Sequence, residues 1–525
     1  MTLFLNKYYH FVVITAILTF HGINNYIWLR LNGLPPHDDS ANHLMGVLDI
    51  LALSHNIVGM LIKSATFIID NFYPPLFHSV MAIFNLLFGI SEISSIMANM
   101  PFMLLLLLSL YYIGKKMGNK NIGILSGFIL MMYPYMFDLS RLPLPDFAMT
   151  AMISLSICLL LYTEDFSNLM FSLLFGISCG LGMLTKQVFA AFIVGPLVYA
   201  VCYLLIKKRI FEKKIIINLL VSSILAFITA SYWYIPKLGK LLPKYIHAAQ
   251  GGYIFNGIQS CPDVLSFKSI TYNFHNLIDN QMLFFFFLLF VAGLMLWFFS
   301  RGERKLKIMF LVSIIVPYII FIFILTKHPK TTTPYLMFFS LISAAGILSI
   351  KSAIVRRGLV MLTIVFSLLQ YFDVSYKKDM FFSYINNLPF INVFSPKGYA
   401  PQFRLSFQPQ KSSSVSDEIL SFIGKESLGN TSPLIALSYE TTMRSWGKMN
   451  CIIANFASLK YIVKLKNLPY SLCYIEEAHL APIPDFVVTV DNIEQDYPKN
   501  ISDKFVLIKT FVLNDNSLIY IYKHI

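Results

Sequence analysis

Two adjacent carboxylates, Asp38 and Asp39, open the segment HDDSANH about ten residues beyond the end of a long apolar stretch. A carboxylate pair beside a membrane can act as a general base, a metal ligand or both, because a like charge and partial desolvation raise one pKa of the two. The same pair would do no chemistry if it only caps the helix that NHLMGVLDIL predicts. Farther along, SRLPLPDFAMT carries Arg141 and Asp146 to the mouth of another apolar stretch, with prolines fixing the chain just before it enters. An aspartate there favours a helix amino terminus electrostatically and adds a third carboxylate to the group. Lys186, in CGLGMLTKQ, closes an apolar stretch without an acidic neighbour in sequence, so it either snorkels to the interface or meets an anion. KHPKTTTPY sets Lys327, His328 and Lys330 in one tight turn, a cationic cluster suited to an anion such as a lipid phosphate, which lysine binds as a point charge. His247, in KYIHAAQGG, is a weak metal-ligand candidate because no other ligand stands near it in sequence.

The chain that must position these residues is 525 long, with 56% hydrophobic, 15% aromatic and 13% charged residues. Soluble domains carry about 25% charged residues. A mean hydropathy of +0.65 and runs such as QMLFFFFLLFVAGLMLWFF require lipid around the chain. Disorder, a collagen-like chain and a disulfide scaffold are excluded by the apolar content, the lack of a three-residue glycine period and the six scattered cysteines. The net charge of +14 does not point to nucleic acid, because most basic clusters punctuate apolar stretches.

Four of those clusters, KKMGNK, KKRIFEKK, RGERKLK and KSAIVRRG, belong in the cytoplasm by the positive-inside rule. The rule then makes 74–90 a helix lying on or dipping into the outer face rather than a span. About eleven spans follow, near 11–29, 95–113, 122–137, 147–162, 168–184, 188–206, 215–235, 281–300, 308–326, 334–350 and 359–375. The amino terminus is then cytoplasmic and the carboxyl terminus outside, and segments 32–94, 138–146, 236–280 and 327–333 are external. From about Tyr376 the composition becomes that of a soluble domain, with an amphipathic helix in VSDEILSFIGKE and strands in PLIALSY, DFVVTV, FVLIKTFVL and LIYIYK, the last two a hairpin. The expected fold is a polytopic α-helical membrane protein with a carboxyl-terminal extracytoplasmic α/β domain. Residues 1–375 form the membrane catalytic domain, 31–94 being its first external loop with outer helices, and 376–525 form the outer domain. Cys158, Cys179 and Cys202 fall in spans, whereas Cys261, Cys451 and Cys473 fall outside, where a Cys451–Cys473 bridge is one arrangement.

Five segments, in order, resemble the GT-C glycosyltransferases of the protein O-mannosyltransferase and lipid A aminoarabinose transferase superfamily. HDDS is similar to that family's acidic motif of the first external loop, YPPLFH with FGISE to its proline-led outer helix, and SRLPLPD to its second aspartate segment. CGLGMLTK resembles the glycine-rich span end with its lysine, and KHPKTTTPYL the lysine-bearing turn. The resemblance implies a GT-C-like fold and transfer of a hexosyl or pentosyl group from a polyprenyl-phosphate carrier to a hydroxyl of a lipid, glycan or protein, with inversion. It implies roles as well. Asp38 is the catalytic base, Arg141, Lys186 and Lys327 or Lys330 hold the donor phosphate, and Asp39 and Asp146 position the acceptor, the sugar or a divalent cation. Tyr73 stands before Pro74 where relatives commonly carry His, Lys or Glu, which argues against a metal site built there.

Two other classes fit parts of the pattern. A transporter or flippase of lipid-linked sugars would also need cations facing an anionic headgroup, but the paired halves and midplane-broken helices of transporters have no counterpart here. A membrane sensor would leave the carboxylates and lysines without a common purpose. The expected location is the inner (plasma) membrane of a cell envelope, with the outer domain periplasmic, membrane lipids and the lipid-linked donor as partners, and no nucleic acid.

Overall fold

A computed structural model describes residues 2–36, 38–53, 59, 73–250, 264–300, 302–325, 327, 329–376, 409, 415–427, 432–437, 456–474, 483–490, 503–513 and 518–525. Eight helices among them are long and apolar enough to cross a membrane, beginning with Tyr8–Leu31 and ending with Ala353–Tyr376. Shorter apolar helices occupy Lys120–Met132, Leu169–Met183 and Tyr335–Leu348. Each of the eleven segments read as spans therefore contains a helix, and the protein is a multi-pass membrane protein. Several boundaries differ from expectation: the segment expected over 122–137 breaks at Tyr133 into Lys120–Met132 and Pro134–Leu139, and the span expected from 281 is preceded by helix from Ser269. The helix expected to end near residue 235 continues as Lys213–Ala249, through Pro236 and Pro243.

The chain divides into two compact units, one of Met1–Tyr26, Leu53–Ile254 and Ile258–Gln408, the other of Ile27–Ala52, Phe255–Gly257 and Pro409–Ile525. In the first, helices pack through small residues, since lipid offers apolar side chains as good a home as another helix does. Gly176 and Gly180 lie one turn apart on Leu169–Met183. A Cβ at Gly176 would stand 2.3 Å from the Ser222 carbonyl oxygen, and one at Gly180 2.4 Å from Thr229 Cβ. Side-chain-free positions thus let this helix lie directly on Lys213–Ala249, fixing the height at which its carboxyl end, and Lys186 after it, emerge.

The proline-led segment forms the helix Leu76–Phe88. Asn85 donates to Ser95 Oγ at 2.7 Å and accepts from the Ser91 backbone N–H at 2.9 Å, tying the FGISE turn shut. Ser91 then caps Glu92–Met97 by accepting from the Ser94 N–H. His78 on this helix is fully buried, its Nδ1 3.4 Å from the Pro74 carbonyl oxygen. Burial holds its pKa down at about 4, against an ordinary 6.5, with the Pro74 contact opposing. The unfolded chain therefore binds a proton at this position that the folded chain does not. Stability should fall as pH drops from about 6.5 to about 4, by about 3 kcal/mol at 1.36 kcal/mol per pKa unit. Melting temperatures in detergent at pH 7.5 and 4.5 should show the drop in the wild type and a smaller one in His78→Gln.

The second unit carries a five-stranded sheet in the order β2-β1-β3-β5-β4. Its strands are β1 (Leu434–Leu437), β2 (Ser471–Tyr474), β3 (Phe486–Thr489), β4 (Phe505–Val512) and β5 (Leu518–His524). β1 runs parallel to β2 and β3, β5 pairs antiparallel with β3 and β4, and the expected β4–β5 hairpin is present. All four residues of β3 are buried, as a central strand covered on both faces requires. The amphipathic helix appears as Val415–Glu426, and a second helix, Phe456–Leu465, joins it. Cys473 lies in β2, whereas Cys451 and Cys261 are outside the described residues.

The expected division lies at residue 375, with 31–94 in the membrane domain; by contacts, the first external helix groups otherwise. Ile27–Ala52 clusters with the carboxyl-terminal segments. The reason is an apolar stripe on the helix Asp38–Leu53. Ala41, Leu44, Met45 and Leu48, spaced for one helical face, pack into the same core as Ile419, Leu459 and Ile521. Burying Leu44 alone contributes about 1.5–3 kcal/mol.

Candidate active site

Asp146 and Lys186, 40 residues apart in sequence, form an ion pair of 2.7 Å, Lys186 Nζ donating to Asp146 Oδ1. Their side chains are 12% exposed for Lys186 and 1% for Asp146. Local sequence prepares each partner. Leu144 is extended and Pro145 opens the helix Pro145–Tyr162, so Asp146 falls in its first turn, where the helix dipole favours a carboxylate. Lys186 lies in the turn between Leu169–Met183 and Phe189–Ile206, its N–H bonded to the Gly182 carbonyl and its own carbonyl accepting from the Phe189 N–H. The Leu76 N–H donates to the Leu184 carbonyl at 3.0 Å, which ties the start of Leu76–Phe88 to this turn. Tyr73, just before that helix, puts its ring 5.8 Å from the Lys186 ammonium, which supplies a cation–π face. The other carboxylate oxygen, Asp146 Oδ2, is buried and has no hydrogen-bond partner among the described residues. Such a group is costly unless something fills it.

Tyr135, on the short helix Pro134–Leu139, is 1% exposed and within electrostatic reach of Asp146, Asp138 and Tyr272. Sequence reading passed over it. The signal available was the aromatic pair in YPYMFD immediately before the aspartate segment.

Arg141, expected to hold the donor phosphate, meets protein groups instead. It is 2% exposed, and its guanidinium donates to Asn25 Oδ1 (3.1 Å), Ser375 Oγ (3.1 Å) and the Tyr371 hydroxyl (2.7 Å). It also lies 3.8 Å from Asp138 Oδ1 and stacks over Phe137 and Tyr371. Asn25 in turn donates to Ser140 Oγ, and Asn99 to the Leu142 carbonyl. Arg141 therefore knots the first and last described spans to the aspartate segment, with its planar fork engaged by protein groups. Arg141→Lys keeps the charge and loses the fork. It should lower the melting temperature of the detergent-solubilised protein while leaving the KM for a lipid-linked donor within about twofold. A phosphate ligand would instead raise that KM.

Lys327 is 2% exposed and donates to the carbonyls of Phe321 (2.5 Å) and Ile322 (3.0 Å), capping the helix Arg304–Ile322. Lysine at a helix carboxyl end complements the dipole, so this ammonium serves the helix. Lys330 lies half-buried on the 3-10 turn Pro329–Thr332, whose Thr332 Oγ1 accepts from Asn276 and Gln281. His328 is outside the described residues. His247 is exposed near the end of Lys213–Ala249. Asp38 is the first residue of Asp38–Leu53 and belongs to the second unit, with Asp39 half-buried beside it; the Asp38 side chain is outside the described part. The expected cluster is thus joined at Asp146 and Lys186. Among the described residues no three His, Cys, Asp or Glu side chains come together to hold a metal ion, and no metal step is assigned to them.

Residues 73–233, which include Tyr73, Arg141, Asp146 and Lys186, match the dolichyl-phosphate-mannose-protein mannosyltransferase family. No protein of curated function matches the chain in sequence. The fold is similar to the crystal structure of ArnT from Cupriavidus metallidurans in the apo state, with a TM-score of 0.60 at 10% identity over 98% of both chains. It is similar as well to ArnT from the same organism bound to undecaprenyl phosphate, with a TM-score of 0.58 at 11% identity over 98% of both chains. The chain thus carries a match to that mannosyltransferase family model over residues 73–233, across the Asp146–Lys186 pair, and has a fold similar to that of ArnT along nearly its whole length.

Proposed function

We propose that the protein transfers a sugar from a polyprenyl-phosphate carrier to an acceptor hydroxyl of a lipid, glycan or protein, with inversion, at the outer face of the inner membrane. The observation that carries this reading is the Asp146–Lys186 pair, which joins a helix start to a turn between two spans and leaves one buried carboxylate oxygen without a partner among the described residues. The acceptor oxygen attacks the anomeric carbon while Asp38 takes its proton, and the bond from that carbon to the phosphate oxygen breaks, its electron pair leaving with the polyprenyl phosphate. Negative charge grows on that leaving group, so a cation fixed beside it stabilises the transition state more than the ground state. Lys186 suits this role. An ammonium has three donors, Asp146 takes one, and Tyr73 backs it without competing for the others. Lys330 is the second phosphate candidate, since Lys327 is committed to helix carbonyls. Asp146 would position the acceptor or the sugar through Oδ2, the oxygen that Lys186 leaves unbonded.

The family match to a dolichyl-phosphate-mannose user and the ArnT structure with undecaprenyl phosphate make polyprenyl-phosphate sugars the donors to try. Purified protein incubated with a panel of radiolabelled polyprenyl-phosphate sugars, in the presence of lipid and peptide acceptors, should release label from one of them. Binding of the lipids without turnover of any would overturn the transferase reading in favour of transport.

A further inference from the structure

Resting on the assignment of Asp38 as the base, we infer that the carboxyl-terminal domain positions the acidic motif, with Ser458 as the positioning residue. The contacts lie within one unit. Ser458, fully buried in the first turn of Phe456–Leu465, donates from its Oγ to the Pro36 carbonyl at 2.8 Å, two residues before Asp38. Lys464, in the last turn of the same helix, forms an ion pair with Asp49 in the later half of Asp38–Leu53. Between the two contacts, Ala41 and Leu44 are buried in the core that also holds Leu459 and Ile462. The two helices therefore run in the same direction, start beside start, and the helix bearing the acidic pair is held at its beginning, along its apolar stripe and toward its far end.

The chemistry needs such a hold. A proton acceptor works only within a few tenths of an ångström of its productive position, and a displacement of about 1 Å costs on the order of 10²-fold in rate. Aspartate has a short side chain, so its carboxylate goes where its backbone goes. Pro35 and Pro36 restrict the approach, but proline has no N–H through which the chain could be anchored. The Pro36 carbonyl can serve as an anchor, and Ser458, 422 residues downstream, engages it. On this account the outer domain is part of the catalytic apparatus, in addition to anything it does for an acceptor.

The test uses the full-length purified protein and the radiolabelled donor that it turns over. Ser458→Ala should lower kcat about tenfold with the donor KM unchanged, and hydrogen exchange should quicken across residues 38–53. Lys464→Glu, at an exposed position that the fold tolerates, should lower kcat about threefold, and the charge-swapped double variant Asp49→Lys/Lys464→Glu should restore it. Unchanged kcat in Ser458→Ala, or a double variant no better than Lys464→Glu, overturns the inference, and the exposed pair decides if Ser458→Ala does not fold. If the wild type turns over no donor, the transferase reading fails by itself. Exchange across 38–53 then still separates the two claims, because protection unchanged in Ser458→Ala would show that the domain does not hold the helix.

Discussion

Replacing Asp38 by Asn should reduce sugar transfer by about 10²–10⁴-fold, the usual contribution of a positioned general base, while the protein still folds and binds its donor. The expectation follows from what the substitution removes. An amide of the same shape cannot take the acceptor's proton, yet Asn suits a helix start, and Asp38 is the first residue of Asp38–Leu53. The apolar stripe of Ala41 and Leu44 that docks this helix is untouched. Loss of label from the polyprenyl-phosphate sugar measures the first effect, and equilibrium binding of the same lipid together with a melting curve measures the second. Full turnover in Asp38→Asn would remove the base from the mechanism and favour a sensor or carrier role for the loop.

Lys186→Ala should be nearly as damaging, for two reasons that can be separated. Removing the ammonium leaves the Asp146 carboxylate buried without its counter-charge, a loss of about 3–5 kcal/mol of stability. It also removes the cation from the leaving phosphate, a loss of about 10²–10³ in kcat by comparison with other electrostatic contacts to a developing charge. The double variant Asp146→Asn/Lys186→Met takes away both charges at similar volume, and neutral replacement of a buried pair often leaves stability intact. Its melting temperature should return close to that of the wild type while turnover stays low. Recovery of turnover together with stability would make the pair a structural device.

The sequence by itself determined the elements. Long apolar runs dictate helices because unpaired backbone groups cannot persist in lipid, and all eleven expected segments contain one. Alternation and β-branched residues in FVLIKTFVL and LIYIYK dictated the β4–β5 hairpin. The Pro-Asp step that sets Asp146 at a helix start, and the turn that leaves Lys186 at a helix end, are equally local. Partner choice was not local. Asp146 finds Lys186 across 40 residues, Arg141 finds Tyr371 across 230, and Ser458 finds Pro36 across 422. An apolar helix face packs as readily against lipid as against any one neighbour, so hydropathy places a span without naming what it touches. Residue type also leaves direction open. Arg141 and Lys327 read as phosphate ligands because of their charge; in the structure one guanidinium lies in a knot of protein groups and one ammonium on helix carbonyls. A charge buried by folding must be matched where it comes to rest, and only the tertiary structure decides which group does the matching.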